Sequence, residues 1–388
     1  MEDSIISKEG KTLLFLFIFF THTVFALEEK NISVRIKMSS AKTVKVSGSN
    51  LKRRFILTGE VKQFTGNKSI SFYCDKFLQR NKISKDPFLI ASISSKSNVL
   101  VINKHRYEGV AYLLANPTKR NCDIILKTGF EGYLSSVLAK EMNAKWPLEA
   151  LKAQAIAART YALFKMKKNV NQPFDMEGSE KDQVIGHILD KTHKTDRAVL
   201  ETSGMVLLNK QNKIIPAFFH AECGGRLVKP GEVWDNHIKG FSHKASIFCR
   251  KRKNRYTWKY SLPNSKFFKF LRWLRKKGRI SFSGNLKKVK IRNDSYSSSV
   301  LYIKTKNNDI RIKKTWLRNY LGRFKINSTN YRFKLGKNRI YFNGRGRGHG
   351  VGLCQLGALK MAKSGYNYKQ ILKYYFSGFK ISDINKKN

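Results

Sequence analysis

Acidic side chains are scarce. Against 77 Lys and Arg the 388-residue chain sets 26 Asp and Glu, for a formal net charge of +51. Such an excess fits a polyanionic partner: nucleic acid, an anionic membrane face or an acidic wall polymer. It also fits compositional drift, because Lys, Asn, Ile, Phe and Tyr are all abundant together. The charge is spread over the whole chain and no aromatic-studded nucleic-acid motif accompanies it, so charge alone assigns no function. Cysteine is sparse too. Five residues (Cys74, Cys122, Cys223, Cys249, Cys354) are too few for a disulfide-framework domain. The count is odd, so in an oxidising compartment at least one is unpaired, metal-bound or bonded to another chain. No segment beyond the N-terminus approaches transmembrane length. The glycines near the C-terminus lack a following G-K-[ST], which excludes a phosphate loop, and their spacing does not fit a dinucleotide fingerprint.

What is present starts with residues 1–26, which read as a secretory signal. Lys8 and Lys11 supply the positive region, residues 13–20 the apolar core and Val24-Phe25-Ala26 a small-residue cleavage site. The core is too short to span a bilayer once Thr21-His22-Thr23 interrupts it, so the protein is expected to be exported, to a periplasm or cell envelope. Membrane attachment is expected only if this signal stays uncleaved. At 41% hydrophobic and 12% aromatic the remainder can build one large or two modest cores. Residues 27–128 alternate polar and apolar positions (Ile32, Val34, Ile36; Val44, Val46; Ile70, Phe72) and read as a β-rich accessory region. Residues 105–109 read as a turn ahead of a further strand.

The chain is organised around residues 130–164, FEGYLSSVLAKEMNAKWPLEALKAQAIAARTYALF. Tyr133, Val137 and Leu138 mark one helix ending at Glu141-Met142. Asn143-Ala144-Lys145 breaks the period, and Trp146-Pro147 opens a second helix whose missing proline N–H costs nothing there. Leu148, Leu151, Ala155 and Ala158 give that helix an apolar face, and its alanines let another backbone approach. Gln154 and Arg159 on it need partners if buried. A carboxylate at the joint, Glu141, walled by Met142 and Trp146, is a candidate general acid, because desolvation raises a carboxyl pKa. Further on, a helix is expected over 195–202, a hairpin from Met205–Leu208 to 214–220, a helix over 264–277 closed by Gly278, and another over 316–321. Residues 343–358, NGRGRGHGVGLCQLGA, place glycine at every second position, which strips one side-chain face and allows close backbone approach.

The run EMNAKWPLEALKAQAIAARTYAL resembles the signature of the stage II sporulation protein D family, which amidase-enhancer proteins share. Asp182-Gln183-Val184-Ile185-Gly186 is similar to a second segment of that family, His220-Ala221-Glu222-Cys223-Gly224-Gly225 with Val233-Trp234 to a third, and the glycine motif through Gln355 to a fourth. The resemblance covers roughly residues 126–379. It implies an α+β fold, a mixed core with a helical hairpin carrying Glu141. It also implies that residues 129–388 form the catalytic domain, with a basic variable insertion at about 250–340. The activity implied is peptidoglycan lytic transglycosylase: Glu141 as single acid and base, and the C6 hydroxyl of N-acetylmuramic acid as nucleophile, giving a 1,6-anhydro product. Gln154, Arg159, Tyr161, His349 and Gln355 are the expected substrate-binding residues, with Arg159 placed on substrate or on a neighbouring carbonyl because a cation too near Glu141 would depress its pKa. No cofactor is required. Some members carry zinc on His and Cys, and His220, Cys223 and Cys249 are the candidate ligands here, with water, His237, His243 or a carboxylate as the fourth. The expected partners are glycan strands and a wall amidase, not nucleic acid; the alternative is a non-catalytic wall-binding amidase enhancer.

Overall fold

The computed structural model describes residues 30–385 apart from 37–42, 81–85, 235, 251–255, 282–289, 293–295, 297–298 and 305–308. The expected signal, residues 1–26, lies outside the described residues. The first unit is a curled sheet of nine strands: β1 (Asn31–Ile36), β2 (Thr43–Phe55), β3 (Val61–Tyr73), β4 (Phe88–Ser95), β5 (Val99–Ile102), β6 (His105–Glu108), β7 (Val110–Asn116), β8 (Asn121–Gly129) and β9 (Met176–Glu177). Their order is β6-β5-β2-β4-β7-β8-β1-β9, with β3 on β2. Residues 105–108 are therefore a strand rather than the expected turn. The turn lies just before them, where Asn103 and Lys104 both take positive φ (52° and 68°) and fold β6 back on β5. Helix α1 (Cys74–Arg80) is tied to β8 by a Cys74–Cys122 disulfide.

Two helices lie on this sheet, α2 (Phe130–Glu141) and α3 (Leu148–Lys168). The break between them falls where the sequence places it, with Pro147 capping α3. Ile32, Val34, Leu113, Ile124 and Leu126 from the strands form one core with Tyr133, Leu134, Val137, Leu151 and Ala155. The strand-rich stretch and the helical hairpin are thus cored together, and β9 adds a parallel strand to β1 from beyond α3. Helix α3 carries two apolar faces, not one. Leu151, Ala155 and Ala158 belong to the first core, while Ala153, Ile156 and Ala157 belong to a second. Alanine is what allows both packings at close range.

The second core gathers β10 (Met205–Leu208), β11 (Phe219–His220), β12 (Arg226–Leu227), α5 (Pro230–Val233) and α6 (Ile247–Arg250) around α3, while β13 (Lys244–Ala245) pairs with β12 and α4 (His193–Leu200) packs Ala198 and Val199 into the first core. The expected hairpin from Met205–Leu208 to 214–220 reduces to a single bridge, Leu208 to Ile214. Long-range pairing wins instead: β10 pairs with the last strand, and β11 pairs in parallel with a strand of the glycine motif.

Residues 256–345 have a core of their own. Strands β14 (Thr257–Pro263), β15 (Lys290–Arg292), β16 (Val300–Lys304), β17 (Asp309–Lys313), β18 (Tyr331–Leu335) and β19 (Arg339–Arg345) pack on α7 (Asn264–Lys276) and α8 (Lys314–Leu321). Trp258, Phe267, Phe270, Leu271, Tyr331 and Phe342 fill it. Gly278 closes α7 at φ 65°, as expected. The chain ends with β20 (Leu353–Cys354), α9 (Gln355–Lys363), α10 (Tyr368–Tyr375) and β21 (Lys380–Asp383). The whole is an α+β fold.

Candidate active site

A cleft of about 700 Å³ opens where the three cores meet. The last residue of α2 lies at its floor. Glu141 is half-buried, and its carboxylate accepts a hydrogen bond from Gln355 Nε2 at 3.2 Å and another from the Val184 N–H. Burial pushes its pKa above the usual carboxylate value; the two hydrogen bonds oppose that shift and the charge of Glu180 adds to it. The side chains facing it differ from those expected. Met142 is buried in the first core and Trp146 packs against that core from outside; the cleft itself is walled by Tyr161, Val184, Phe218, Phe219 and Trp234.

Of the expected substrate residues, Tyr161, His349 and Gln355 line the cleft with Glu141. Tyr161 donates to Asp182 Oδ1 at 3.0 Å, and burial with that carboxylate pushes its phenol pKa up. His349 is held by backbone: Nε2 donates to Phe219 O at 2.9 Å and Nδ1 accepts from Val351 N at 3.1 Å. Burial, then the neighbouring His220, holds its pKa well below the usual value, so it stays neutral. Both ring nitrogens being taken, His349 offers the cleft a ring beside Trp234, 5.1 Å between centroids, and no free polar atom.

Gln154 and Arg159 are corrections. Gln154 is fully buried inside α3's packing, neither amide atom having a partner, and does not line the cleft. Arg159 is 1% exposed; it pairs with Glu131 (2.7 Å) and donates to the carbonyls of Val199 (3.0 Å), Thr202 (2.7 Å) and Met205 (3.3 Å). A guanidinium so engaged ties α3 to the end of α4 and has no donor left for a sugar.

Asp182, which heads the second family-like segment, and Glu180 also line the cleft, so a second and third carboxylate share it with Glu141. Asp182 is committed to Tyr161, to Lys165 Nζ (3.1 Å) and to the Glu177 N–H (3.0 Å), while Glu180 is exposed. From α8 and the loop after it come Thr315, Arg318 and Arg323, so the basic insertion builds one wall. Arg318 donates to the carbonyls of Ile326 and Asn327, and burial lowers its pKa to about 10. Nothing in the run of lysines and arginines marks these three apart from their neighbours.

The glycine motif forms the remaining wall, and it makes the expected close backbone approach, though as a winding loop. Gly346, Gly348, Gly350 and Gly352 have φ of 79°, 123°, 81° and 69°, so the alternation is a left-handed winding loop. A Cβ at Gly352 would lie 2.1 Å from Phe218 O.

Behind His220 lies a sulfur cluster. Ligand atoms of His220, Cys223 and Cys354 all fall within 4.8 Å of one another, and Cys249 Sγ is 3.3 Å from Cys354 Sγ. His220 Nδ1 is 3.0 Å from Val351 O, while its buried Nε2 has no partner. Burial opposes ionisation of Cys223, yet hydrogen bonds from Cys249 and Cys354, with the charge of the neighbouring His220 adding to them, carry its pKa below the usual thiol value. Cys249 and Cys354 move the other way, Cys249 through its bond to Cys223 and Cys354 through burial. An orphaned imidazole nitrogen among soft donors fits zinc. His243 does not join them; it pairs with Glu232 at 2.8 Å.

The family described as Stage II sporulation protein matches residues 118–208, from the end of β7 through α2 and α3 to β10. An uncharacterised protein of Brachyspira hyodysenteriae is 28% identical over 374 residues, 95% of this chain and 97% of that protein. Stage II sporulation protein D of Bacillus subtilis is 30% identical over 294 residues, 71% of this chain and 78% of its own length. The amidase enhancer of the same organism is 26% identical over 286 residues, 63% of this chain and 39% of the enhancer.

Proposed function

The chain belongs to the stage II sporulation protein D family, and from that premise we propose that it is an exported peptidoglycan lytic transglycosylase with Glu141 as its acid and base. The observation that carries this reading is one carboxyl at the floor of a cleft, made reluctant to ionise by burial and aimed by Gln355 and the Val184 N–H. Protonated Glu141 gives its proton to the glycosidic oxygen as the bond to the muramic C1 breaks. The C6 hydroxyl of the same sugar attacks C1, and the carboxylate takes the hydroxyl proton. The proton count closes on one side chain and no water is consumed, so no second carboxylate is needed, unlike hydrolysis. Commitment of Asp182 to Tyr161 and Lys165 supports this one-carboxylate scheme. Tyr161 and Trp234 are placed to contact sugar rings. Zinc, where bound, would be held by His220, Cys223 and Cys354, with Cys249 beside them, and would brace the cleft wall. The Cys74–Cys122 disulfide supports export, because such bonds persist in oxidising compartments.

The test is mass spectrometry of sacculi digested with wild-type and Glu141→Gln protein. Wild type should release 1,6-anhydro ends and Glu141→Gln none, with folding and metal content kept. Release by the variant would remove Glu141 from the mechanism. A second reading, a non-catalytic enhancer of a wall amidase, is favoured by the likeness to the amidase enhancer. It predicts no anhydro ends from either protein and faster sacculus digestion when an amidase is added.

A further inference from the structure

We infer, from the reading of Glu141 as acid and base, that Gln183 and Tyr133 are its positioning residues: together they fix the segment whose Val184 N–H is aimed at the Glu141 carboxylate. Gln183 is fully buried and does not line the cleft, yet its two sequence neighbours, Asp182 and Val184, both do. Burial alternates along this stretch. Asp182 and Val184 are half-buried, while Gln183 and Ile185 are buried, Ile185 in the first core. The segment thus shows one side to the cleft and is held by the other.

The hold is polar and directed. The Tyr133 hydroxyl donates to Gln183 Oε1 at 2.9 Å, and Gln183 Nε2 donates to Ala158 O at 3.0 Å. Tyr133 belongs to α2 and Ala158 to α3, so one side chain spans both helices of the hairpin that carries Glu141. An apolar side chain would fill this place without the cost of burying an amide; an amide set between one donor and one acceptor fixes direction as well as depth. Direction matters on both flanks. One residue back, the Asp182 carboxylate holds the Tyr161 hydroxyl at 3.0 Å, Lys165 Nζ at 3.1 Å and the Glu177 N–H at 3.0 Å. One residue on, the Val184 N–H bonds to Glu141. Tyr133 and Glu141 stand on the same helix, so α2 both places the segment and receives its N–H. A donor aimed at a carboxylate favours the charged form, so this one stabilises Glu141 as its proton leaves.

The test sets Gln183→Met and Tyr133→Phe beside wild type in the full chain. Methionine keeps the bulk, Ala158 O keeps its donor inside α3, and the Tyr133 hydroxyl keeps the Met176 sulfur at 3.5 Å. Tyr133→Phe removes one hydroxyl only. Carbon-13 titration of glutamate-labelled protein, with the Glu141 signal assigned by its loss in Glu141→Gln, should place Glu141 at higher pH in both variants than in wild type. On sacculi, kcat should fall about tenfold in Gln183→Met, as for one hydrogen bond lost in the transition state, and less in Tyr133→Phe. KM should stay within about twofold, and the alkaline limb of the pH–rate profile should move up. The double variant should do no worse than Gln183→Met, because the hydroxyl acts through the amide. Variants that melt lower but titrate Glu141 and turn over glycan as wild type does would make Gln183 an ordinary core amide and overturn its assignment, as would additive losses in the double variant. Wild-type protein that releases no anhydro ends would defeat the reading of Glu141 as an acid, while its titration, which needs no turnover, still decides whether Gln183 and Tyr133 aim its hydrogen bond. Should Gln183→Met not fold, Tyr133→Phe gives the same readings.

Discussion

Arg159 separates scaffold from site. Replacing it with Met keeps the aliphatic stem and removes the guanidinium, which is 1% exposed. Three charge-assisted bonds to the carbonyls of Val199, Thr202 and Met205 are lost. Bonds of this kind contribute about 1.5–3 kcal/mol each when nothing replaces them. Val199 O and Thr202 O each retain a backbone donor, from Thr202 and Met205, so about 1 kcal/mol apiece is the fairer figure. The partner carboxylate of Glu131 is 39% exposed, so solvent screening leaves that ion pair at most about 0.5 kcal/mol. With about 1.5 kcal/mol for Met205 O the sum is about 4 kcal/mol, which corresponds to a fall in melting temperature of about 10 °C for a unit of this size. Circular dichroism melts would read it, beside turnover of sacculi well below both midpoints, where kcat/KM should stay within about twofold of wild type. A variant that melts with the wild type but shows a raised KM for glycan would return Arg159 to the substrate and refute the assignment of its bonds.

Protonation of Glu141 sets a second prediction. As the acid it must carry a proton, so the rate falls as pH rises through its raised pKa; Gln355→Leu removes a donor that favours the carboxylate and should move that alkaline limb to higher pH in a pH–rate profile. The same sign governs stability. A carboxyl with a folded pKa above its unfolded one contributes stability that is fully present below the unfolded pKa and is lost as pH rises through the folded one. Glu141→Gln, which does not ionise, should therefore melt at or above wild type at neutral pH, with the gap closing in acid; a lower midpoint at neutral pH would contradict a desolvated carboxyl. In the glycine loop, Gly352→Ala combines left-handed strain of about 1–2 kcal/mol with a Cβ placed 2.1 Å from Phe218 O, and should abolish soluble protein. Gly278→Ala, at φ 65° with nothing within 4 Å, should cost only the strain; equal melting of the two variants would count against the clash.

Local signals were strong where one peptide segment decides the outcome. Asn143 to Pro147 break the helical period by their own chemistry, and the structure interrupts the helices there. Glu141 stands out in the sequence because its surrounding pattern is long and specific, and the fold then supplies what spacing alone does not: the Val184 N–H and the Gln355 amide on its carboxylate. The structure departs from the local pattern where partners come from afar. The stretch at 214–220 looks like half a hairpin, but β11 bonds to β20, more than a hundred residues on, because that pairing brings His220 beside Cys354. Arg159 is expected on substrate or on a neighbouring carbonyl, and only the fold decides between them: its partners are Glu131 and carbonyls at the end of α4. The glycine alternation suggests a two-residue strand period, and only the positive φ values reveal a winding loop. The surroundings of Cys354 are set by thiols at 249 and 223, and no pattern within the glycine motif carries that information. One neighbour of Glu141, Gln355, and one member of the sulfur cluster, Cys354, are adjacent where β20 meets α9, so substitutions in that pair should affect both sites while substitutions at Cys74 or Cys122 should affect neither.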